Sequence, residues 1–148
     1  MENVKLDKMC YKRDKLSYSL VLLGLALNVF YFFTLYKSNS TFFFKYNVGI
    51  SILYNLIFML FVFLSAEEIK NYHRNFSIFL MIVGIAQIIR AFLYPLNALK
   101  EEAIVQKTFV FILIYCILSG LLLISGGIIS FIKSSKLKKY IASKQGGE

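Results

Sequence analysis

The sequence predicts an all-α fold: a polytopic membrane protein whose four transmembrane helices form an up-down bundle with both termini cytoplasmic. Three observations carry that prediction. Four apolar stretches, 16–36, 48–66, 76–94 and 109–132, each have 19–24 residues, and about 20 helical residues cross the roughly 30 Å hydrocarbon core of a bilayer. The connections between them are short, which forces antiparallel neighbours. The basic residues outside the stretches concentrate in the two tails, which a chain crossing four times places on the same side, as the positive-inside rule favours.

Composition agrees. The chain has 148 residues, 58% of them hydrophobic, with a mean hydropathy of +0.66. That exceeds the apolar share of soluble domains, and a soluble fold of one-domain length could not bury so much apolar surface. A lipid phase removes the difficulty. It also leaves uninterrupted helices as the expected spanning element, because no water is present to satisfy an open backbone.

The chain opens with a polar tail over residues 1–15 that carries Lys5, Lys8, Lys12, Arg13 and Lys15. The first apolar run, Leu16 to Tyr36, is too long for a signal-peptide core and has no small-residue cleavage site after it, so it reads as a retained span. The second span runs from Val48 to Ala66 and the third from Phe76 to Tyr94. Pro95 is expected to stop the third helix. The fourth runs from Phe109 to Ile132, followed by a second basic tail over 133–148. The transmembrane domain is therefore 16–132, between two basic tails.

Twelve Lys and Arg residues fall in the two tails and the 67–75 connection, and four (Lys37, Lys45, Lys100 and Lys107) fall on the opposite side. The richer side is expected to be cytoplasmic, in a plasma membrane. This asymmetry accounts for most of the +9 net charge, so the charge is read as a topology signal and not as a nucleic-acid surface. Aromatic residues Tyr31, Phe32, Phe33 and Tyr36, with Phe42, Phe43, Phe44 and Tyr46, are expected to form an interfacial belt on the far side. Gly24-Leu25-Ala26 recurs as Gly84-Ile85-Ala86 sixty residues later, in two spans running the same way.

Arg90 is the one charged residue inside a span. An arginine at the bilayer centre costs about 2.5–3.5 kcal/mol on insertion scales. Arg90 lies five residues before Pro95, about 7 Å inside the end of the span, so one reading has its side chain snorkel to the nearer headgroups. Helical spacing puts Gln87, Arg90, Ala91 and Tyr94 on one face. Asn28 in the first span, Asn55 in the second and Tyr115 and Cys116 in the fourth fall at similar depth, with Ser119 a turn further. A second reading is a polar knot among the helices. A third is a ligand site formed by Asn28, Asn55, Gln87, Arg90, Tyr94 and Tyr115, whose guanidinium suits an anionic or carbonyl-bearing molecule such as a lipid phosphate, a carboxylate or a quinone.

The fourth span carries a second pattern: Ser119, Gly120, Ser125, Gly126, Gly127 and Ser130. Ser119 and Gly126 are seven residues apart, as are Gly120 and Gly127. Small residues let helix backbones approach closely in lipid, so this stripe is assigned either to packing within the bundle or to contact with another subunit.

The remaining candidates are weaker. His73 sits in a charged connection with Glu67 and Glu68 and lacks the ligand set of a metal site. Cys10 and Cys116 are too far apart in the topology to pair. Cys10 is positioned for acylation, and Asn39-Ser40-Thr41 matches a glycosylation pattern. No carboxylate lies inside a span, which argues against proton-coupled transport, and no catalytic or nucleotide-binding motif is present. Neither a metal nor a cofactor is expected, nor enzyme activity. The functional expectation is a small non-catalytic accessory or assembly subunit whose partners are the bilayer and other membrane chains or further copies of itself. The alternative is binding or transport of a small anionic, lipid or quinone-like ligand around Arg90. A third reading, a membrane enzyme acting on a lipid or quinone, has only Arg90, Tyr94, Tyr115 and Cys116 to draw on.

Overall fold

The computed structural model describes residues 13–37, 46–100 and 106–145. They form four helices: α1 (Lys15–Lys37), α2 (Tyr46–Lys70), α3 (Arg74–Lys100) and α4 (Gln106–Gln145). All four contain a segment long and apolar enough to cross a membrane, so the chain is an all-helical polytopic membrane protein. Side-chain pairs fix an antiparallel order. Tyr18 of α1 meets Glu67 of α2, Phe61 of α2 meets Phe79 of α3, Ser77 of α3 meets Ser130 of α4, and Phe30 of α1 meets Tyr115 of α4. The helices thus close a ring in the order α1, α2, α3, α4.

The helices overrun the predicted spans. Pro95 does not stop α3, which continues five residues to Lys100. Proline removes one backbone hydrogen bond, but its fixed φ is itself helical. The following Leu-Asn-Ala-Leu-Lys is dominated by good helix formers, so the helix resumes. The tail expected after Ile132 is helical as far as Gln145. No Gly or Pro interrupts it before Gly146, and Lys144 lies in the last turn, where the helix dipole favours a cation.

Between α2 and α3 only Asn71, Tyr72 and His73 intervene. The Tyr72 N–H bonds to the Ile69 carbonyl at 3.0 Å and the His73 N–H to the Glu68 carbonyl at 3.4 Å, the paired bonds of a Schellman end. Tyr72 occupies the left-handed position of that motif, at φ 62°, where glycine is the usual residue.

α4 is the hub. A Cβ on Gly84 would lie 2.9 Å from the Gly120 carbonyl oxygen, and one on Gly120 would lie 2.9 Å from that of Gly84. A turn or two along, a Cβ on Gly127 would meet the Ser77 carbonyl at 2.9 Å. On the other flank Gly24 faces the Ser119 carbonyl and Gly126 faces Val21 and the Ser17 carbonyl. Ser119 and Gly126 therefore receive α1, and Gly120 and Gly127 receive α3. Each flanking helix answers with a serine and a glycine seven residues apart, Ser17 and Gly24 or Ser77 and Gly84. The sixty-residue echo in the sequence is thus two parallel helices presenting the same small-residue spacing to one partner. The α4 stripe is occupied by packing inside the bundle.

Two apolar clusters fill the interior. One, around Tyr31, Ala91, Ile112 and Cys116, lies toward the end away from the termini. The other, around Val21, Phe58, Val62, Leu80 and Leu123, lies toward the end where α1 begins. Large apolar side chains on all four helices, such as Phe33, Leu60, Leu93 and Leu121, point outward, as a lipid solvent requires.

That second end is closed by an ion pair. Asp14, assigned by the sequence to the polar tail, is buried and caps α1. The Ser17 backbone N–H donates to its Oδ1 at 3.3 Å and the Ser17 hydroxyl to its Oδ2 at 2.6 Å. Lys133 of α4 donates to Oδ1 at 2.6 Å, and the Asp14 N–H bonds to the Lys70 carbonyl that ends α2. One residue so ties three helices. The signal was an N-cap aspartate immediately before the apolar run. Beside it, Glu67 accepts from the Tyr18 hydroxyl at 2.7 Å and from Lys70 at 3.0 Å.

Candidate functional site: an intramembrane polar layer

The polar layer lies between the two apolar clusters. Gln87 of α3 donates through Nε2 to Asn28 Oδ1 of α1 at 2.8 Å. Arg90, one turn along α3, donates through Nη1 to Asn55 Oδ1 of α2 at 2.8 Å. Asn28, Asn55 and Gln87 are buried. Cys116 reaches the Gln87 carbonyl with its Sγ at 3.5 Å, and the Ser119 hydroxyl donates to the Gly24 carbonyl at 2.7 Å. All four helices contribute.

The guanidinium lies between two rings: Tyr31 of α1, 5.3 Å from Cζ to the ring centroid, and Tyr54 of α2, at 4.6 Å. Aromatic faces attract a cation, more so where water is excluded. Tyr31 is fully buried, whereas Tyr54 is 46% exposed. Arg90 therefore reaches from the bundle interior to the seam between α2 and α3. Its guanidinium is drawn along α3 toward the N-terminal side of that helix, to Asn55. Phe61 pairs with Phe79 across this antiparallel seam, so counting back places Asn55 level with about Ile85, five residues or about 7 Å deeper than Arg90. Helical side chains lean toward the N-terminus of their helix, which for α3 is the deeper direction. The arginine is engaged within the protein.

Of the six predicted ligand-site residues, Asn28, Asn55, Gln87 and Arg90 are brought together as two adjoining pairs. Tyr115 is not. Its ring stacks on Phe30 at 6.4 Å and it packs beside the Tyr31 cluster, because position 115 lies off the α4 face that carries Cys116 and Ser119. The Tyr94 side chain is outside the described residues. Tyr31, assigned by the sequence to the interfacial belt, is instead fully buried beside Arg90, since it follows Asn28 by three residues on the same face. Tyr54 was missed, although it adjoins Asn55 in sequence. Of the remaining belt, Phe33 points outward and Phe32 is half-buried, while Phe42, Phe43 and Phe44 lie outside the described residues.

Two amide atoms of the layer are buried without a hydrogen-bond partner: Asn28 Nδ2, a donor, and Gln87 Oε1, an acceptor. Reversing both amides would exchange their roles and leave one donor and one acceptor again. Each such group costs about 1–3 kcal/mol, so the layer holds the helices in register at some expense of stability.

Elsewhere, His73 faces Glu68 at 3.7 Å and the Phe76 ring. Among the described residues no three His, Cys, Asp or Glu side chains converge as metal ligands. Cys10 and Asn39 lie outside the described residues. A groove of about 350 Å³ opens between α2 and α3 near their connection, lined by Phe61, Leu64, Ser65, Asn75, Phe76 and Phe79. The chain matches no protein-family model, no curated protein and no solved structure.

Proposed function

We propose that this is a non-catalytic binding protein of the membrane that holds a small anionic, lipid or quinone-like molecule at Arg90. The observation that supports this is the position of the guanidinium. It lies between a buried tyrosine and a half-exposed one, hydrogen-bonded to the neutral carbonyl oxygen of Asn55, at the seam between α2 and α3. An ionisable residue inside a membrane marks a functional site by default. In the same reading both termini are cytoplasmic and the membrane is the plasma membrane, from the distribution of Lys and Arg.

The test is native mass spectrometry of protein extracted gently from its own membrane, beside the Arg90→Gln variant. A small-molecule mass retained by the wild type and lost from the variant is the expected result. Equal retention in both, or none in either, removes the reading.

A second reading, the accessory or assembly subunit, is favoured by α2. That helix buries a narrow stripe against α1 and α3, while Leu53, Leu56, Leu60, Phe63 and Leu64 form a wide outward apolar face. The same spectra test it: a defined assembly containing other polypeptides supports it, and Leu56→Trp or Leu60→Trp should then release them. A bare monomer sinks it.

A further inference from the structure

We infer that the molecule held at Arg90 is a neutral, carbonyl-bearing, lipid-soluble compound of the quinone class, reached sideways from the hydrocarbon through the α2–α3 seam. This rests on the binding reading above and narrows it to one chemistry.

Depth decides the class. α3 enters the hydrocarbon at Phe76, directly after Arg74 and Asn75, and about 20 residues of helix reach the far boundary, near Pro95. The Arg90 backbone is then about 7 Å inside that boundary. The guanidinium leans deeper still, toward Asn55, which lies eight residues or about 12 Å from Asn47 at the same boundary. A phospholipid phosphate belongs outside the hydrocarbon and would have to descend by more than that distance. A quinone carbonyl is neutral and already partitions into the core.

The surroundings suit the same chemistry. Arg90 is seen to donate to a neutral carbonyl oxygen, Asn55 Oδ1, at 2.8 Å. The flanking surfaces are aromatic: Tyr31 on the interior side and Tyr54 on the exposed side. Tyr54 in turn stacks on Phe58 at 6.4 Å. A planar ring can lie against Tyr54 while its carbonyl oxygen accepts from the guanidinium edge.

Packing makes the α2–α3 seam the way in. The α1–α4 and α3–α4 seams are closed by backbone approach at Gly24, Gly84, Gly120, Gly126 and Gly127. None of those close contacts involves α2. Its contacts with α3 run through side chains, Asn55 with Arg90 and Phe61 with Phe79, and side chains can move.

The experiment uses the full chain in nanodiscs of zwitterionic lipid, with two probes: a short-chain alkyl benzoquinone, and phosphatidylglycerol doped into the disc. Binding is read from quenching of intrinsic tyrosine fluorescence, the chain having ten Tyr and no Trp, and from adduct mass. The expected result is saturable quinone binding that phosphatidylglycerol does not displace. Arg90→Gln should weaken it by about tenfold to a hundredfold, the weight of a hydrogen bond to a charged group. Arg90→Lys, which keeps the charge but not the planar fork, should restore it only in part. Should Arg90→Gln fail to fold, Tyr54→Ala at the half-exposed edge of the site decides, with weakened quinone binding expected. Wild-type affinity in the folded Arg90→Gln or Tyr54→Ala variant overturns the inference. Retention of phosphatidylglycerol that depends on Arg90, without quinone binding, overturns the carbonyl assignment and leaves the binding reading standing. Neither probe binding, with no native small molecule retained, removes both.

Discussion

Replacing Gly84 by alanine should destabilise the bundle, whereas the same replacement at Gly49 should stabilise it. Both glycines are helical, and alanine is favoured over glycine in a helix by about 0.8–1.0 kcal/mol. That gain is common to the two sites. The surroundings are not. A Cβ at Gly49 meets nothing within 4 Å, whereas one at Gly84 would lie 2.6 Å from Ile124 Cγ1, 2.9 Å from the Gly120 carbonyl oxygen and 3.1 Å from the Ile124 nitrogen. Two of those three atoms are backbone, so relief requires α3 and α4 to separate, and overpacking of this kind costs about 1–3 kcal/mol. The two variants should therefore differ by about 1–3 kcal/mol. The assay is equilibrium unfolding in mixed micelles followed by helical circular dichroism. Gly24→Ala should fall between them, since its nearest contact, the Ser119 carbonyl at 3.2 Å, needs only a few tenths of an ångström. Gly84→Ala and Gly120→Ala should be non-additive, because the first opens the contact that the second would also open. If Gly84→Ala proves as stable as Gly49→Ala, the close approach of α3 and α4 is wrong, and with it the account of the repeated Ser/Gly spacing.

Three further outcomes are expected. Asn28→Leu or Gln87→Leu alone should destabilise the fold by leaving the other amide buried without its partner. The double variant should be near neutral or stabilised, with a coupling of about 0.6–1.7 kcal/mol by the same unfolding assay. Asp14→Asn keeps a good helix cap and loses the ion pair with Lys133, so it should cost less than Asp14→Ala by about 1 kcal/mol; equal losses would mean that the pair, and not the cap, is what Asp14 supplies. Burial, and secondarily the charge of Asp14, holds the Tyr72 phenol above its ordinary range. The folded state therefore favours the neutral form. Stability from this group is complete below the unfolded value of about 10 and is lost as pH rises through the higher folded value. Tyr72→Phe should show a smaller fall in Tm above pH 10 than the wild type, and an identical fall would refute the assignment.

The four helices could be read from the sequence because a bilayer imposes a length and a composition that few other structures share. What could not be read was direction around each helix. Asn28, Asn55, Gln87 and Arg90 were placed at similar depth by counting from span ends, and they do pair: a nearly invariant rise per residue brings Asn28 and Gln87 together, and the long arginine side chain spans the remaining offset to Asn55. Tyr31 and Tyr115 show the limit of that counting. Both are tyrosines in the same half of the bundle, yet the first is buried against Arg90 and the second stacks on Phe30. An α-helical step of about 100° between residues separates these outcomes, and in a span apolar all round no amphipathic pattern marks which side faces in. Such a pattern was nevertheless present in small residues. Ser17 with Gly24, Ser77 with Gly84, and the two pairs on α4 share one spacing of seven, and in lipid the facing surfaces of helices are chosen by backbone approach. Reading those pairs together orients α1, α3 and α4. α2 has no such pair, and its polar anchor, Asn55, is met by a flexible arginine instead of a backbone. The helix least fixed by small residues is thus the one that borders the candidate site. A seam held by Arg90, Tyr54 and two phenylalanines can open to admit a guest at lower cost than one held by carbonyl oxygens 2.9 Å from where a Cβ would stand, which is why the α2–α3 seam is where binding at Arg90 should be sought.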